Sequence, residues 1–588
     1  MTDWTPVDLL PGLWLGLLGT FLVAALRRWY DPVPGRVLAV FAAVLLALFA
    51  PVLFGGRVLL GTDSLRVVAP SQAAVREALD QRRWPLWNRR AGAGMPLLAD
   101  PGSQALQPLT LLGLPLPLPR ALGFVAALRM LVALTFSFLW LRRLGLRSGP
   151  ALAGALVYGG LLIFWVGWPA GNVAAFLPVA LYAGVRCTDG KDSKDGKDLK
   201  DDGRDGFLLA LAVLGLLLGG DPVATFCALA ILLLFLLDRA RRRPPGTRLA
   251  LLARTGAALL VAVAVSPPVI LPTLQYMPRA AAPWSLAPWQ WRLPSSTPLR
   301  LAFPKTASLR AVQYGLAIHE PRGFRMAALG DVLPPNLAGL YDMTDARLHD
   351  PMAPRAYVEF TKPIAAGSPD DPLYQRLGVR YLLTPLDAQL PAPWARIFTD
   401  RTAAVWEQPD ALPLFFLATP NPAGGVLTQT IEDTWISGAA QLRRRQWLGT
   451  SVYQDGGWLL LLNRSRHHTV LDSETFVAAR LPRGANRLDL LYRPAAFVWG
   501  CVIAALGMVA GVAAFVPRPI PLPRPSSPRP SSPAPSPPPS PGEEGERQDR
   551  SNRVPPLPVR GVGRGRERGS GGEGPTTPAA PPPSAAPG

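Results

Sequence analysis

Between two apolar stretches of this chain lies a segment whose residues could do chemistry at a membrane surface. It runs Gly61-Thr-Asp63-Ser-Leu-Arg66, continues through Arg82-Arg83-Trp84-Pro85-Leu86-Trp87-Asn88-Arg89-Arg90, and ends Gly94-Met-Pro96-Leu-Leu-Ala-Asp100-Pro101. A carboxylate here, Asp63, could take the proton of an attacking hydroxyl; it could equally cap a helix starting at Ser64. The arginines form two pairs, Arg82/Arg83 and Arg89/Arg90, whose forks match phosphate oxygens and would also attract anionic lipid headgroups. Trp84 and Trp87 could stack on a sugar ring or sit in an interfacial aromatic belt. Asn88 could bond a sugar hydroxyl or close a turn, and Asp100, before Pro101, could be a second acid, a metal ligand or a turn former. Asp221, in Gly219-Gly-Asp221-Pro222, is costly between two apolar spans unless used or paired, and Pro222 is also well placed to open a helix that Asp221 would cap.

The elements around this segment are built for lipid. Of 588 residues 49% are hydrophobic, and several windows reach the roughly 20 apolar residues that span a bilayer. Nine spans are expected, near 9–27, 36–54, 121–141, 150–167, 172–186, 207–220, 222–238, 249–272 and 496–516. The net charge of +20 does not imply a nucleic-acid partner, because the arginines cluster beside the spans as the positive-inside bias predicts. Placing every charged short loop in the cytoplasm closes the topology. The N-terminus, 55–120 and 273–495 are then outside and the C-terminal tail inside, across a bacterial cytoplasmic membrane. The loop 55–120 keeps eight arginines and four acidic residues against that bias, which suggests a use for them such as binding phosphate. Cys187, Cys227 and Cys501 lie in or beside spans, which argues against a disulfide framework. The first apolar run, with no basic start or clear cleavage site, reads as a retained helix.

The organisation follows: two N-terminal helices in 1–54, the first external loop in 55–120, and a helix bundle in 121–272 interrupted by a low-complexity linker at 187–206. An external mixed α/β domain spans 273–495, a last helix 496–516, and a Pro/Ser/Arg/Gly-rich tail 517–588 that cannot bury a core. Strand-like runs occur at Val379–Leu383 and Ala404–Trp406. Those at Trp458–Asn463, Thr475–Arg480 and Arg487–Tyr492 read as a small antiparallel β unit. The fold class is an α-helical polytopic membrane protein of about nine helices with this external domain and a disordered tail.

In order along the chain, Asp63, Leu86-Trp-Asn88 with Gly94-Met-Pro96, and Leu98-Ala-Asp100-Pro101 resemble the first external loop of YfhO-type bacterial membrane proteins. Leu141-Arg-Arg-Leu-Gly-Leu146, Gly219-Gly-Asp221-Pro222, Pro334-Pro-Asn336 with Asp350-Pro351, Leu377-Gly-Val-Arg-Tyr381, Ala411-Leu-Pro413 and Leu481-Pro-Arg-Gly484 continue the resemblance over roughly 36–516. That family is similar to the GT-C class of membrane glycosyltransferases. The resemblance implies transfer of a sugar from a polyprenyl-phosphate carrier to an envelope glycopolymer or glycolipid on the outer face. Asp63 would then be the catalytic base and the paired arginines would hold the donor phosphate. The first span and the tail are extra. Asp455-Gly-Gly-Trp458 looks contracted where the family has Pro-Gly-Trp, a strand and a hairpin, which weakens the case for sugar binding by the β unit. His319, His349, His467 and His468 lack zinc spacing, and no phosphate loop or Gly-x-Ser-x-Gly motif occurs. No cofactor is demanded; a divalent metal would need carboxylates such as Asp63, Asp100 or Asp221. Two other classes stay open: a non-catalytic envelope-assembly or glycan-binding membrane protein, and a lipid-linked sugar transporter, although no inverted repeat of broken helices is evident.

Overall fold

The computed structural model describes residues 6–515 except 61–63, 190–197, 283–294, 366, 418–426, 468 and 473–474. Asp63, His468, the tail 517–588 and part of the 187–206 linker therefore lie outside the described residues. The ends of that linker continue the flanking helices, Ala170–Asp189 and Asp198–Leu217.

Helix occupies most of each expected span: Leu10–Trp29, Gly35–Leu53, Leu118–Arg143, Ser148–Leu162, Ala170–Asp189, Asp198–Leu217, Pro222–Arg241, the pair Pro245–Val265 and Pro267–Tyr276, and Ala495–Phe515. Among the described residues six helices are long and apolar enough to cross a bilayer: Val7–Trp29, Gly35–Leu53, Leu118–Arg143, Ala170–Asp189, Pro222–Arg241 and Thr247–Val265. The chain is built as a multi-pass membrane protein. Leu118–Arg143 is buried on nearly all sides, whereas Leu13, Leu17 and Phe21 of the first helix are exposed, as lipid-facing side chains would be. Pro267-Pro268 cannot continue the helix ladder, so the expected 249–272 span breaks at Ser266. The last helix packs closely on this break: a Cβ at Gly500 would stand 2.5 Å from the Pro267 carbonyl oxygen, and one at Gly507 2.6 Å from Ala264. Small residues let helix backbones approach this way where lipid gives no hydrophobic drive.

Hydrogen bonds sort the connections onto two faces. On one, Arg143 donates to Asp31 at 2.5 and 2.6 Å, Tyr182 to Asp31 at 2.7 Å, Arg186 to Asp205 at 2.7 Å, and Arg243 to Asp189 at 2.8 Å. On the other, Arg120 pairs with Asp8 at 2.5 Å, and the Trp14 indole donates to the Leu112 carbonyl at 2.9 Å. The turns at 163–169 and 218–221, whose only charged residue is Asp221, join this second face, which also carries the strand-rich domain.

That domain begins with a strand pair, Arg57–Leu60 on Ser295–Pro298. A mixed sheet follows in the order Arg325–Ala328, Val379–Thr384, Ala404–Glu407, Ala395–Thr399, with its first pair parallel. Two antiparallel sheets complete it. One orders Leu427–Ile431, Trp435–Leu442, Gly484–Tyr492, Trp458–Leu462 and Ser465–His467; the other orders Val470–Asp472, Phe476–Leu481, Gln446–Tyr453 and Phe415–Leu417. Alternate residues Trp458, Leu460 and Leu462, with Leu488, Leu490 and Tyr492, bury one face by the period-2 pleat. They share one apolar core with Leu448, Phe476 and Leu481 of the other sheet. The β unit is thus larger than the three strands expected. After Gly457, Trp458–Leu462 is a strand, and Asn463-Arg464, both at positive φ, turn it into a hairpin with Ser465–His467.

Candidate functional site

The arginine and tryptophan half of the first loop is docked, not free. The helix Ala69–Asp80 ends with Arg82 in the left-handed region (φ 56°), its N–H on the Leu79 carbonyl at 2.9 Å, and the Arg83 N–H on the Ala78 carbonyl at 2.8 Å. This is a helix stop at which glycine is usual. Arg83 meets Glu432 at 2.7 Å, Arg89 meets Asp433 at 3.4 Å, and Arg90 meets Glu77 at 2.8 Å and Asp342. Burial pushes the Glu77 and Asp433 carboxyls up despite these cations. Three of the four arginines expected at phosphate therefore clamp the loop to the strand-rich domain; Arg82 is exposed.

Trp84 is half exposed and stands edge-on to Phe497, centroids 5.3 Å apart, where the last helix begins. That suits an interfacial belt. Trp87 is buried against Trp458 and Tyr492, at 5.1 and 4.6 Å, so no sugar stacks on it in this conformation. Asn88 accepts the Arg90 N–H at 3.0 Å and closes the turn. Gly94 (φ 90°) is required there, since a Cβ would fall 2.4 Å from the Trp87 ring. Arg325, buried, donates to the Gly92 carbonyl at 3.0 Å and to Leu377 and Ser451, which fixes this turn in the domain core.

The second half of the loop docks on the helices through Arg129. This buried guanidinium donates to Asn172 Oδ1 at 2.7 Å, Gln104 Oε1 at 2.6 Å, and the Val166 and Trp168 carbonyls at 2.7 and 3.1 Å. Asn172 Nδ2 reaches Gln104 Oε1 at 2.8 Å and the Gly219 carbonyl at 3.1 Å. Gly220 (φ 93°) lets the 218–221 turn lie on this loop, because a Cβ would stand 2.8 Å from the Pro101 carbonyl oxygen. A cation inside a span is thus met by neutral acceptors that join three connections.

This seam brings Asp100 and Asp221 onto one cavity of about 280 Å³. Its wall is otherwise mostly apolar, with Leu98, Leu217, Phe226, Leu229, Ile270 and Leu274. Asp221 Oδ1 caps Pro222–Arg241 by accepting the Ala224 N–H at 2.9 Å. Asp100 Oδ1 accepts the Gly102 N–H at 2.8 Å, while Oδ2 is buried with no hydrogen-bond partner. Burial, then the charge of Asp350, hold the Asp100 carboxyl well above the usual carboxylate range. Asp350 is itself pushed up to about 6 by burial, although the Met352 N–H donates to it at 2.7 Å. A neutral carboxyl at Asp100 can donate a hydrogen bond into the cavity.

Arg129, Gln104 and Asn172 were not singled out from sequence, and Asp350 entered only within the Asp350-Pro351 motif of the resemblance, with no role given to it. Arg129 carried a legible signal, a lone charge within a span; Gln104 and Asn172 carried none before their neighbours were placed. Among the described residues no group of three or more His, Cys, Asp or Glu is arranged to hold a metal; Asp63 lies outside them. Among the described residues Cys187, Cys227 and Cys501 form no disulfide. Compared with family models, curated proteins and solved structures, the chain matches none.

Proposed function

We propose that this protein is a membrane glycosyltransferase of the kind its YfhO-like motifs suggest, moving a sugar from a polyprenyl-phosphate carrier to an envelope glycopolymer or glycolipid. The observation that carries the reading is Asp100 Oδ2, buried without a partner on a cavity whose other walls are largely apolar. An isoprenoid chain suits such walls, and a protonated carboxyl tolerates a phosphate that a carboxylate would repel. In this reading the acceptor hydroxyl attacks the anomeric carbon and gives its proton to Asp63. The anomeric carbon–oxygen bond to phosphate breaks, and Asp100 donates a hydrogen bond to the leaving phosphate as its charge grows. Asp221 sets the cavity rim by capping the helix that follows.

The same reading takes nine helices as spans and puts the strand-rich face outside a bacterial cytoplasmic membrane. The gathering of Arg143, Arg147, Arg186, Arg239 and Arg243 toward the opposite face supports this, since basic clusters stay in the cytoplasm. The test is mass spectrometry of envelope glycolipids and glycopolymers from a deletion strain complemented with wild type, Asp63→Asn or Asp100→Ala. The account expects a sugar that wild type restores and neither variant does. Restoration by both variants would remove these carboxyls from the reaction and favour a glycan-binding role without transfer.

A further inference from the structure

A second cavity lies across one turn of chain from the first. Met277 lines the apolar cavity, and the next two residues, Pro278 and Arg279, line an open cleft of about 1310 Å³. Drug-sized ligands fill about 300–1,000 Å³, so this cleft has room for several linked units. It sits beside both chain entries to the helices: Tyr276 ends one helix, and the Arg493 N–H, two residues before Ala495–Phe515, donates to the Gly457 carbonyl at 2.9 Å. Arg279, Arg355, Arg466 and His467 line it. The facing acids are Glu359 and Asp455. Asp455 accepts the Tyr492 hydroxyl at 2.5 Å and the Gly457 N–H at 2.8 Å, and burial pushes its carboxyl up, so cations dominate. The Asn463-Arg464 hairpin sets Arg466 opposite Leu461 on the neighbouring strand. Trp458 also lines the cleft, and its indole N–H is buried with no hydrogen-bond partner. The ring is only 2% exposed. Tyr453, Gln454 and Thr469 add hydrogen-bonding groups.

We infer that this cleft binds an anionic glycan, a carbohydrate chain carrying carboxylate or phosphate groups. Guanidinium forks recognise such groups in two-point fashion, and an unpartnered buried N–H is costly until an acceptor reaches it. The size and the polar strand wall favour a chain of sugars over a single lipid headgroup. Naming this glycan as the acceptor rests on the transfer reading above; its binding does not.

The test uses the full chain in phosphatidylcholine nanodiscs, titrated calorimetrically with polygalacturonate oligosaccharides and with neutral maltooligosaccharides. The anionic probe should bind, more weakly as salt rises, and the neutral one much less. Arg355→Glu with Arg466→Glu should weaken binding roughly tenfold or more, two exposed charges being reversed. Trp458→Phe keeps the ring against Trp87 and Tyr492 and should weaken binding severalfold by removing the N–H. Equal binding of both probes, no binding, or unchanged affinity in both variants would overturn the inference. So would loss of binding when phosphatidylglycerol is added to the nanodisc, which would make the cleft a lipid-headgroup site. Retained glycan binding in an Asp100→Ala protein that has lost transfer supports cleft and reaction together. Retained binding in a wild type that transfers no sugar supports the cleft and fails the reaction.

Discussion

The two cavities flanking the Met277–Arg279 turn divide their chemistry. The inner one is walled by Leu, Phe and Ile side chains and holds a carboxyl whose free oxygen has no partner; the outer one is ringed by arginines over a buried tryptophan N–H. One is suited to a hydrocarbon chain ending in phosphate, the other to a charged, hydroxyl-rich chain. They teach that the paired arginines of the first loop need not be the phosphate site. Those cations are already spent on Glu77, Glu432 and Asp433, and holding the loop in place is what leaves Asp100 at the seam.

The comparison can be broken most severely at Arg129. Arg129→Met takes the donor from Asn172 Oδ1 and from the Val166 and Trp168 carbonyls, removes one of the donors to Gln104 Oε1, and unseats the inner cavity's wall. The expected loss is about 1–3 kcal/mol for each buried acceptor left unsatisfied, read as a lower thermal midpoint in detergent or loss of the folded protein. A midpoint equal to wild type would show the seam is held elsewhere.

Next comes Asp100, the carboxyl proposed to meet the leaving phosphate. Asp100→Ala should lower transfer about 10²–10³-fold, the effect of removing one donor from a developing oxyanion, while Asp100→Asn, which keeps an N–H donor, should retain part of it. Both should stay folded, since a buried carboxyl is exchanged for a group that needs no proton. Equal rates for all three would exclude Asp100.

The pH dependence follows from the same pair. Asp100 is held up by burial and by Asp350, so transfer should fall as pH rises through its folded pKa and the carboxylate repels phosphate. Asp350→Asn removes a negative neighbour, lowers the Asp100 pKa, and should move that limb to lower pH. For stability the sign is set by Asp350, raised from 3.8 to about 6. Its protonated form is favoured by folding, so the contribution is full below about pH 4 and lost as pH passes 6. Melting across that window should show it, and Asp350→Asn should flatten it.

The smallest effect is expected at the clamp. Arg83→Glu against Glu432 is a partly exposed pair, so its cost should stay within about 1 kcal/mol, and Glu432→Arg in the same protein should recover it. A large loss of transfer from Arg83→Glu with unchanged stability would return that arginine to the phosphate.

The helices were legible because apolar length is a property of the sequence alone. The strands at Val379–Thr384 and Ala404–Glu407 were legible because β-branched and aromatic residues lay between turn signals. The size of the two antiparallel sheets was not, since Leu427–Ile431 pairs with Trp435–Leu442 and Trp435–Leu442 with Gly484–Tyr492, a contact across more than forty residues with no local mark. At the site, Asp100 and Asp221 stood out as acids beside spans, and capping, one of the uses weighed for Asp221, is seen in the structure. Their sharing of one cavity depends on Arg129, Gln104 and Asn172 meeting from three distant segments. The fate of the arginines depended on acids more than 340 residues away for Arg83 and Arg89, which no spacing rule reaches.

The most direct measurement is photocrosslinking of the protein in nanodiscs with a polyprenyl-phosphate sugar bearing a diazirine in its first isoprene units, mapped by mass spectrometry. The account predicts labels on residues of the inner cavity, such as Leu217, Phe226, Leu229 and Ile270, competed by unlabelled carrier. Labels confined to lipid-facing residues such as Leu13, Leu17 and Phe21, and not competed, would contradict it.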